Sequence, residues 1–220
     1  MSIITSRIGS FLLLTRRLMN KLFSLTVLLL SIVSLQLFSI KAALAEKAIL
    51  AGGCFWCMES DFEKLEGVSN VVSGFTGGEI PNPTYRGNHD GHYEAVEITY
   101  DPAVVDYQGI LDHYWINIDP FDASGQFCDK GSSYLSAVFV ANKQQKLLAE
   151  QSKKKVIAMF PEETVVTPIL TMSTFYPIKG AESHHQDFYI HSPIRYKAYR
   201  WNCGRDKRLK TIWGDLATVH

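Results

Sequence analysis

The chain has 220 residues, 46% of them hydrophobic and 12% aromatic, with 22 basic against 22 acidic side chains. That length and apolar content suit one domain with a real core, and they exclude a disordered, collagenous or disulfide-dense chain. Five of the basic residues (Arg7, Arg16, Arg17, Lys21 and Lys41) fall in the first 45 positions, which hold no acidic ones, so the remainder is mildly acidic. Such a balance does not suit a nucleic-acid partner, and the local cluster Arg205–Lys210 reads as solvated surface.

Residues 1–45 read as a leader. An apolar run from Leu22 to Ile40 follows basic residues and ends at Ala43-Leu44-Ala45, with small residues where a signal peptidase cuts. Met19 is a candidate true start, because MNKLFSLTVLLLSIVSLQLFSIKAALA is by itself shaped like a bacterial secretory signal. This predicts export, to the periplasm. Retained, the run would instead be an N-terminal membrane anchor, since roughly 20 apolar residues cross a bilayer. The catalytic domain is then 46–220, and all four cysteines, Cys54, Cys57, Cys128 and Cys203, lie in it. So few cysteines in an exported chain do not form a disulfide framework, which favours a reactive or redox role.

Ala48–Ala51 reads as a buried strand that Gly52-Gly53 ends in a sharp turn. From there Phe55, Met58, Phe62 and Leu65 recur at helical spacing, with Glu59, Asp61, Glu63 and Glu66 on the opposite side, and Gly67 closes the helix. A strand through Val68–Phe75 leads into the Gly- and Pro-rich loop Gly77–Gly87. Tyr93–Tyr100 alternates, with Val96, Ile98 and Tyr100 on one face and Glu94 at the open end of that same apolar face. Asp106 caps a helix built on Ile110, Leu111 and Tyr114, and a loop from Asp119 to Ser133 precedes a strand over Tyr134–Val140. Lys143–Met159 reads as a polar helix with Leu147 and Leu148 inward, Thr164–Leu170 as a peripheral strand, and Ala181–Ile190 as a short helix before an irregular tail. Strands alternating with helices, without a nucleotide fingerprint, predict an α+β two-layer sandwich on a mixed sheet.

The stretch Gly52-Gly53-Cys54-Phe55-Trp56-Cys57 carries the chemistry. A cysteine where a helix begins meets unpaired N–H groups and the positive end of the dipole, which favour thiolate and can lower a thiol pKa from about 8.5 into a range of roughly 3.5–7.5. Cys54 is therefore the candidate nucleophile, and the aromatic walls of Phe55 and Trp56 suit a small apolar group such as a methyl.

Taken together, GGCFW, PNPTY, GHYEAVEITYDP and DKGSSYLSAVF, in that order from about Ala48 to Tyr189, resemble the A-type peptide methionine-S-sulfoxide reductases. The resemblance implies a ferredoxin-like fold and reduction of the S epimer of methionine sulfoxide, free or in oxidised proteins. It implies that Cys54 attacks the sulfoxide sulfur, Glu94 supplies a proton to its oxygen, Tyr85, Tyr134 and Asp129 complete the polar set, and Phe55 with Trp56 cradle the methyl. A sulfoxide oxygen leaves poorly unless protonated, so an acid is needed, and a carboxyl on an apolar strand face keeps its proton near neutrality. Cys54 is left as a sulfenic acid that a second thiol condenses into a disulfide. The family's habit of placing recycling cysteines near the C-terminus puts Cys203 first for that role, with Cys57 and Cys128 as alternatives. Neither a bound cofactor nor a metal is predicted; turnover needs an external, thioredoxin-like thiol donor, and the enzyme is expected to be monomeric. Cys57 stands where the family more often has Gly, and Ser132, Ser133 and Leu135 where Thr, Gln and Arg are usual. His185 is a supporting candidate.

Two other readings compete. Cys54 and Cys57 form a C-x-x-C that would suit an exported thioredoxin-like thiol-disulfide exchanger, which would not need Glu94. A zinc module lacks the paired knuckles, and covalent haem fails because Met58 occupies the required His position.

Overall fold

The computed structural model describes residues 44–217. The leader up to residue 43, with its proposed start at Met19, lies outside them. Among the described residues no helix is long and apolar enough to cross a membrane.

Strand β1 (Glu46–Gly52) runs into helix α1 (Phe55–Phe62), and strands β2 (Val68–Thr76) and β3 (Tyr93–Tyr100) lead to helix α2 (Tyr107–Trp115). A small hairpin, β4 (Gly125–Gln126) and β5 (Asp129–Lys130), and a 3-10 turn at Ser132–Tyr134 precede β6 (Ser136–Val140). Helix α3 (Lys143–Met159) and strands β7 (Ile169–Thr171) and β8 (Tyr176–Pro177) follow. The chain then passes a 3-10 turn (Gly180–His185), α4 (Phe188–His191), α5 (Pro193–Asn202), α6 (Arg205–Trp213) and a last 3-10 turn (Gly214–Leu216).

The main sheet has the order β7-β6-β1-β3-β2-β8. Its inner four strands are antiparallel in the order β6-β1-β3-β2, and with α1 and α2 as the crossovers this is the ferredoxin-like arrangement. β7 joins β6 in parallel, which makes the sheet mixed. The alternation read over Tyr93–Tyr100 is realised: Glu94, Val96, Ile98 and Tyr100 are all buried, on the face that meets Phe55, Met58, Phe62, Ile110, Leu111 and Tyr114. Asp106 caps α2 by accepting the Gly109 N–H at 2.8 Å. The opposite face of the sheet buries a smaller cluster, Ile49, Ala51, Ala95, Ala137 and Phe139, under Tyr93, Leu170 and Phe175.

Three local expectations are corrected. Glu59 and Asp61, assigned to the outer side of α1, are completely buried, because the C-terminal segment covers that side. In α3 the inward positions are Gln145, Ala149, Ser152 and Val156, and Leu147 is exposed. The tail expected to be irregular is helical: Pro193 starts α5, left-handed Gly204 separates it from α6, and Tyr196 with Arg200, then Leu209 with Trp213, form buried i,i+4 pairs.

Candidate active site

β1 delivers Cys54 to the site through a turn that only glycine suits. Gly53 has φ +82°, and a Cβ there would stand 2.5 Å from the Gln126 Cβ. A Cβ on Gly52 would meet the Met58 Sδ at 2.4 Å. Cys54 is the N-cap of α1. Glu94 is brought beside it by sheet register: Leu50 pairs with Val96, so Glu94, two residues earlier on β3, comes level with the end of β1. Its Oε2 accepts the Phe55 N–H at 3.1 Å, one residue from the cysteine.

Burial sets the electrostatics. Glu94 is only 1% exposed, and desolvation pushes its carboxyl up to about 8 against the lowering effect of the Phe55 hydrogen bond. Cys54 is 6% exposed; burial, then its hydrogen bond to Cys57, holds its thiol well above the ordinary value. The low thiol pKa expected of a helix start is therefore found elsewhere: it is Cys57 that is lowered, first by that same hydrogen bond and then by the Arg205 and Arg200 guanidiniums.

The other sequence candidates converge here. Tyr85, on the Gly77–Gly87 loop, and Tyr134, at the end of the 3-10 turn before β6, are half-buried, and both have their hydroxyls raised by burial and then by Glu94, with Cys54 and Asp129 also acting on each. Asp129, from the β4–β5 hairpin, is raised by burial and accepts a hydrogen bond from the Tyr199 hydroxyl. Phe55 is fully buried and stands behind Tyr85 with ring centroids 6.0 Å apart. Trp56 is half-buried and held from two sides: its indole N–H donates to His185 Nδ1 at 3.1 Å, and its ring stacks on Phe188 at 3.9 Å. His185, packed at 3.9 Å on Tyr85, is buried and stays neutral, its pKa lowered to about 4 by burial.

Tyr199 is the site residue that sequence reading missed. From α5 its hydroxyl reaches both Asp129 and Cys54, and its ring meets Trp56 edge-on at 5.6 Å. The signal available was the i,i+3/i+4 set Tyr196, Tyr199 and Arg200 after Pro193. Cys203, first among the expected resolving thiols, is bonded to Cys128, while Cys54 and Cys57 are free. A surface cavity of about 720 Å³ lined by Ser60, Lys64, Tyr196 and Trp201 contains none of the proposed catalytic side chains.

Residues 46–217 match the family model for peptide methionine sulfoxide reductase. A peptide methionine sulfoxide reductase of Caulobacter vibrioides is 45% identical over 199 residues, covering 89% of this chain and all of the relative. One of Bacillus licheniformis is 47% identical, covering 77% of this chain and 94% of the relative. Among solved structures, methionine sulfoxide reductase A of Corynebacterium diphtheriae superposes with a TM-score of 0.59 at 29% identity, over 68% of this chain and 76% of that one. Reduced Mxr1 of Saccharomyces cerevisiae, 22% identical with a TM-score of 0.60 over 68% of this chain and 86% of that one, shares the fold. With this fold, this site and these relatives, the chain belongs to the peptide methionine sulfoxide reductase family.

Proposed function

We propose that this chain reduces the S epimer of methionine sulfoxide, free or within oxidised proteins, to methionine, with Cys54 as nucleophile and Glu94 as acid. The observation that carries the reading is a buried carboxyl that keeps its proton up to about pH 8 and accepts the N–H of Phe55, the residue next to the N-cap thiol. A sulfoxide, whose oxygen must be protonated to leave, needs such an acid.

The chemistry follows from where the protons lie. The sulfoxide sulfur approaches Cys54 with its methyl against Trp56, backed by Phe55, and its oxygen between Glu94, Tyr85 and Tyr134. Asp129 holds Tyr199 over the sulfur. Cys54 gives up its thiol proton and attacks; an S–S bond to the substrate sulfur forms as Glu94 protonates the oxygen. Transfer of that OH to Cys54 then breaks the bond between the sulfurs. Methionine departs, reduced by two electrons, and Cys54 remains as sulfenic acid. A second thiol converts this to a disulfide and water, and an external dithiol of thioredoxin type returns the enzyme to its starting state. The leader supports export to the periplasm, where that donor would act.

The test is an epimer-resolved assay of residues 46–220 with dithiothreitol. The S epimer of methionine sulfoxide should be consumed and the R epimer left, and Cys54→Ser should abolish the activity. Activity that survives Cys54→Ser overturns the assignment.

A further inference from the structure

The disulfide between Cys128 and Cys203 closes a span of 75 residues. It sits where two segments each carry a polar residue to the site. One is the β4–β5 hairpin, whose strands are two residues long and whose turn is Phe127-Cys128. Phe127 takes φ +54°, a left-handed backbone that a bulky side chain adopts only under constraint. A hairpin this short has little stability of its own. Gln126 pins its first strand to the Asp119 backbone at 2.8 and 2.7 Å, and Asp129 stands on the second. The other segment is the end of α5. There Cys203 donates its N–H to the Tyr199 carbonyl at 2.9 Å, so it lies one helical turn past Tyr199, just before left-handed Gly204.

The disulfide thus joins the two segments at the point where their polar side chains meet. The Tyr199 hydroxyl donates to Asp129 Oδ2, and the Cys203 sulfur lies 3.8 Å from that same oxygen. The Tyr199 hydroxyl also reaches Cys54. Resting on the proposed sulfoxide chemistry, we infer that the Cys128–Cys203 disulfide is a positioning clamp, which holds Asp129 and Tyr199 together over the Cys54 sulfur and whose opening slows the chemical step. A hydroxyl aimed at the sulfur stabilises the thiolate that must form before attack, and does so only within hydrogen-bond reach. With the clamp closed, hairpin and helix end hold each other in register. With it open, the same two groups meet without a covalent tie.

The clamp is also open to control. Cys128 is exposed, so an external dithiol, of the class already needed for turnover, can attack its sulfur. The bond between Cys128 and Cys203 breaks and Cys203 leaves as a thiol. The donor's second thiol then displaces Cys128 and the donor departs as a disulfide, leaving two electrons and two protons on the protein. The reductant that restores the enzyme would, in excess, loosen its site.

The experiment follows methionine released in the first turnover, without added reductant, over a range of methionine S-sulfoxide concentrations. Wild type with the outer bond closed is compared with wild type opened by dithiothreitol, then freed of it under anaerobic conditions, and with Cys128→Ser/Cys203→Ser. Mass spectrometry verifies the state of every cysteine. Both open forms should be about ten- to a hundredfold slower at saturating sulfoxide, with the half-saturating concentration unchanged, because the clamp acts on chemistry rather than binding. Tyr199→Phe should slow the closed enzyme, and opening the clamp in Tyr199→Phe should slow it no further. Equal maximal rates open and closed overturn the clamp even where the urea midpoint falls on opening, as does an undiminished slowing in Tyr199→Phe. The opened wild type decides the matter if the double variant fails to fold. No methionine from closed wild type overturns the sulfoxide reading instead.

Discussion

At the start of α1 the unpaired N–H groups favour negative charge, yet Cys54 keeps its proton. Desolvating a thiolate costs more than the first turn of an eight-residue helix returns, and the neighbouring Cys57 opposes it further. The same burial holds Glu94 protonated up to about pH 8. The Glu94 proton links stability to pH. Its folded pKa of about 8 lies above the ordinary value of about 4.3, so the folded state binds this proton more tightly than the unfolded chain does. Stability is full below the ordinary value and is lost as pH rises through about 8. Urea midpoints taken in mildly acidic buffer and again above about pH 8 should fall less for Glu94→Gln than for wild type. Glu59, also held at about 8 by burial, leaves part of the slope in both proteins.

The elements differ in how plainly the sequence announces them. β3 was legible because alternation over Tyr93–Tyr100 has one physical outcome, a half-buried strand, and that same phase placed Glu94 on the inner face. The glycine turn before Cys54 was legible too, since paired glycines after an apolar strand signal tight geometry. The outer face of α1 was not. Glu59 and Asp61 look solvent-facing by charge, but they are buried against partners more than 100 residues away: Glu59 accepts the Asp187 N–H at 3.0 Å, and Asp61 pairs with Arg200 at 2.7 Å. Local periodicity carries no information about such partners. The helices α5 and α6 were hidden by their polar composition, which leaves only sparse apolar anchors, and with them went Tyr199. The Cys128–Cys203 pairing was hidden for a related reason: four cysteines allow three pairings, and spacing does not choose among them.

Across the whole molecule, the C-terminal helices are fastened to the catalytic end of the sheet by a buried set of charges as well as by the apolar anchors Tyr196, Leu209 and Trp213. Asp61 on α1 meets Arg200 of α5 at 2.7 Å and Arg205 of α6 at 3.4 Å, and Arg200 also holds Asp206 at 2.7 Å. Arg205 donates to the Asn117 and Gly52 carbonyls at 2.7 and 3.3 Å and lies 4.5 Å over the Phe127 ring. Arg208 reaches Asp119 at 2.7 Å. Removing the Asp61 carboxylate leaves the buried Arg205 without its acidic partner and Arg200 with Asp206 alone, at a cost of about 3–5 kcal/mol. Asp61→Asn should therefore lower the unfolding free energy by about that amount in urea titrations, with α5, and hence Tyr199, loosened over Cys54.

The joint action of the Cys54 sulfur and the Glu94 proton is tested most directly by rapid-quench measurement of methionine released in the first turnover, at pH values on both sides of about 8. Wild type should slow as pH rises through that value, while Glu94→Gln should be about a hundred- to ten-thousand-fold slower and lack that decline. A Glu94→Gln enzyme that releases methionine at the wild-type rate, with the same alkaline decline, would contradict the account.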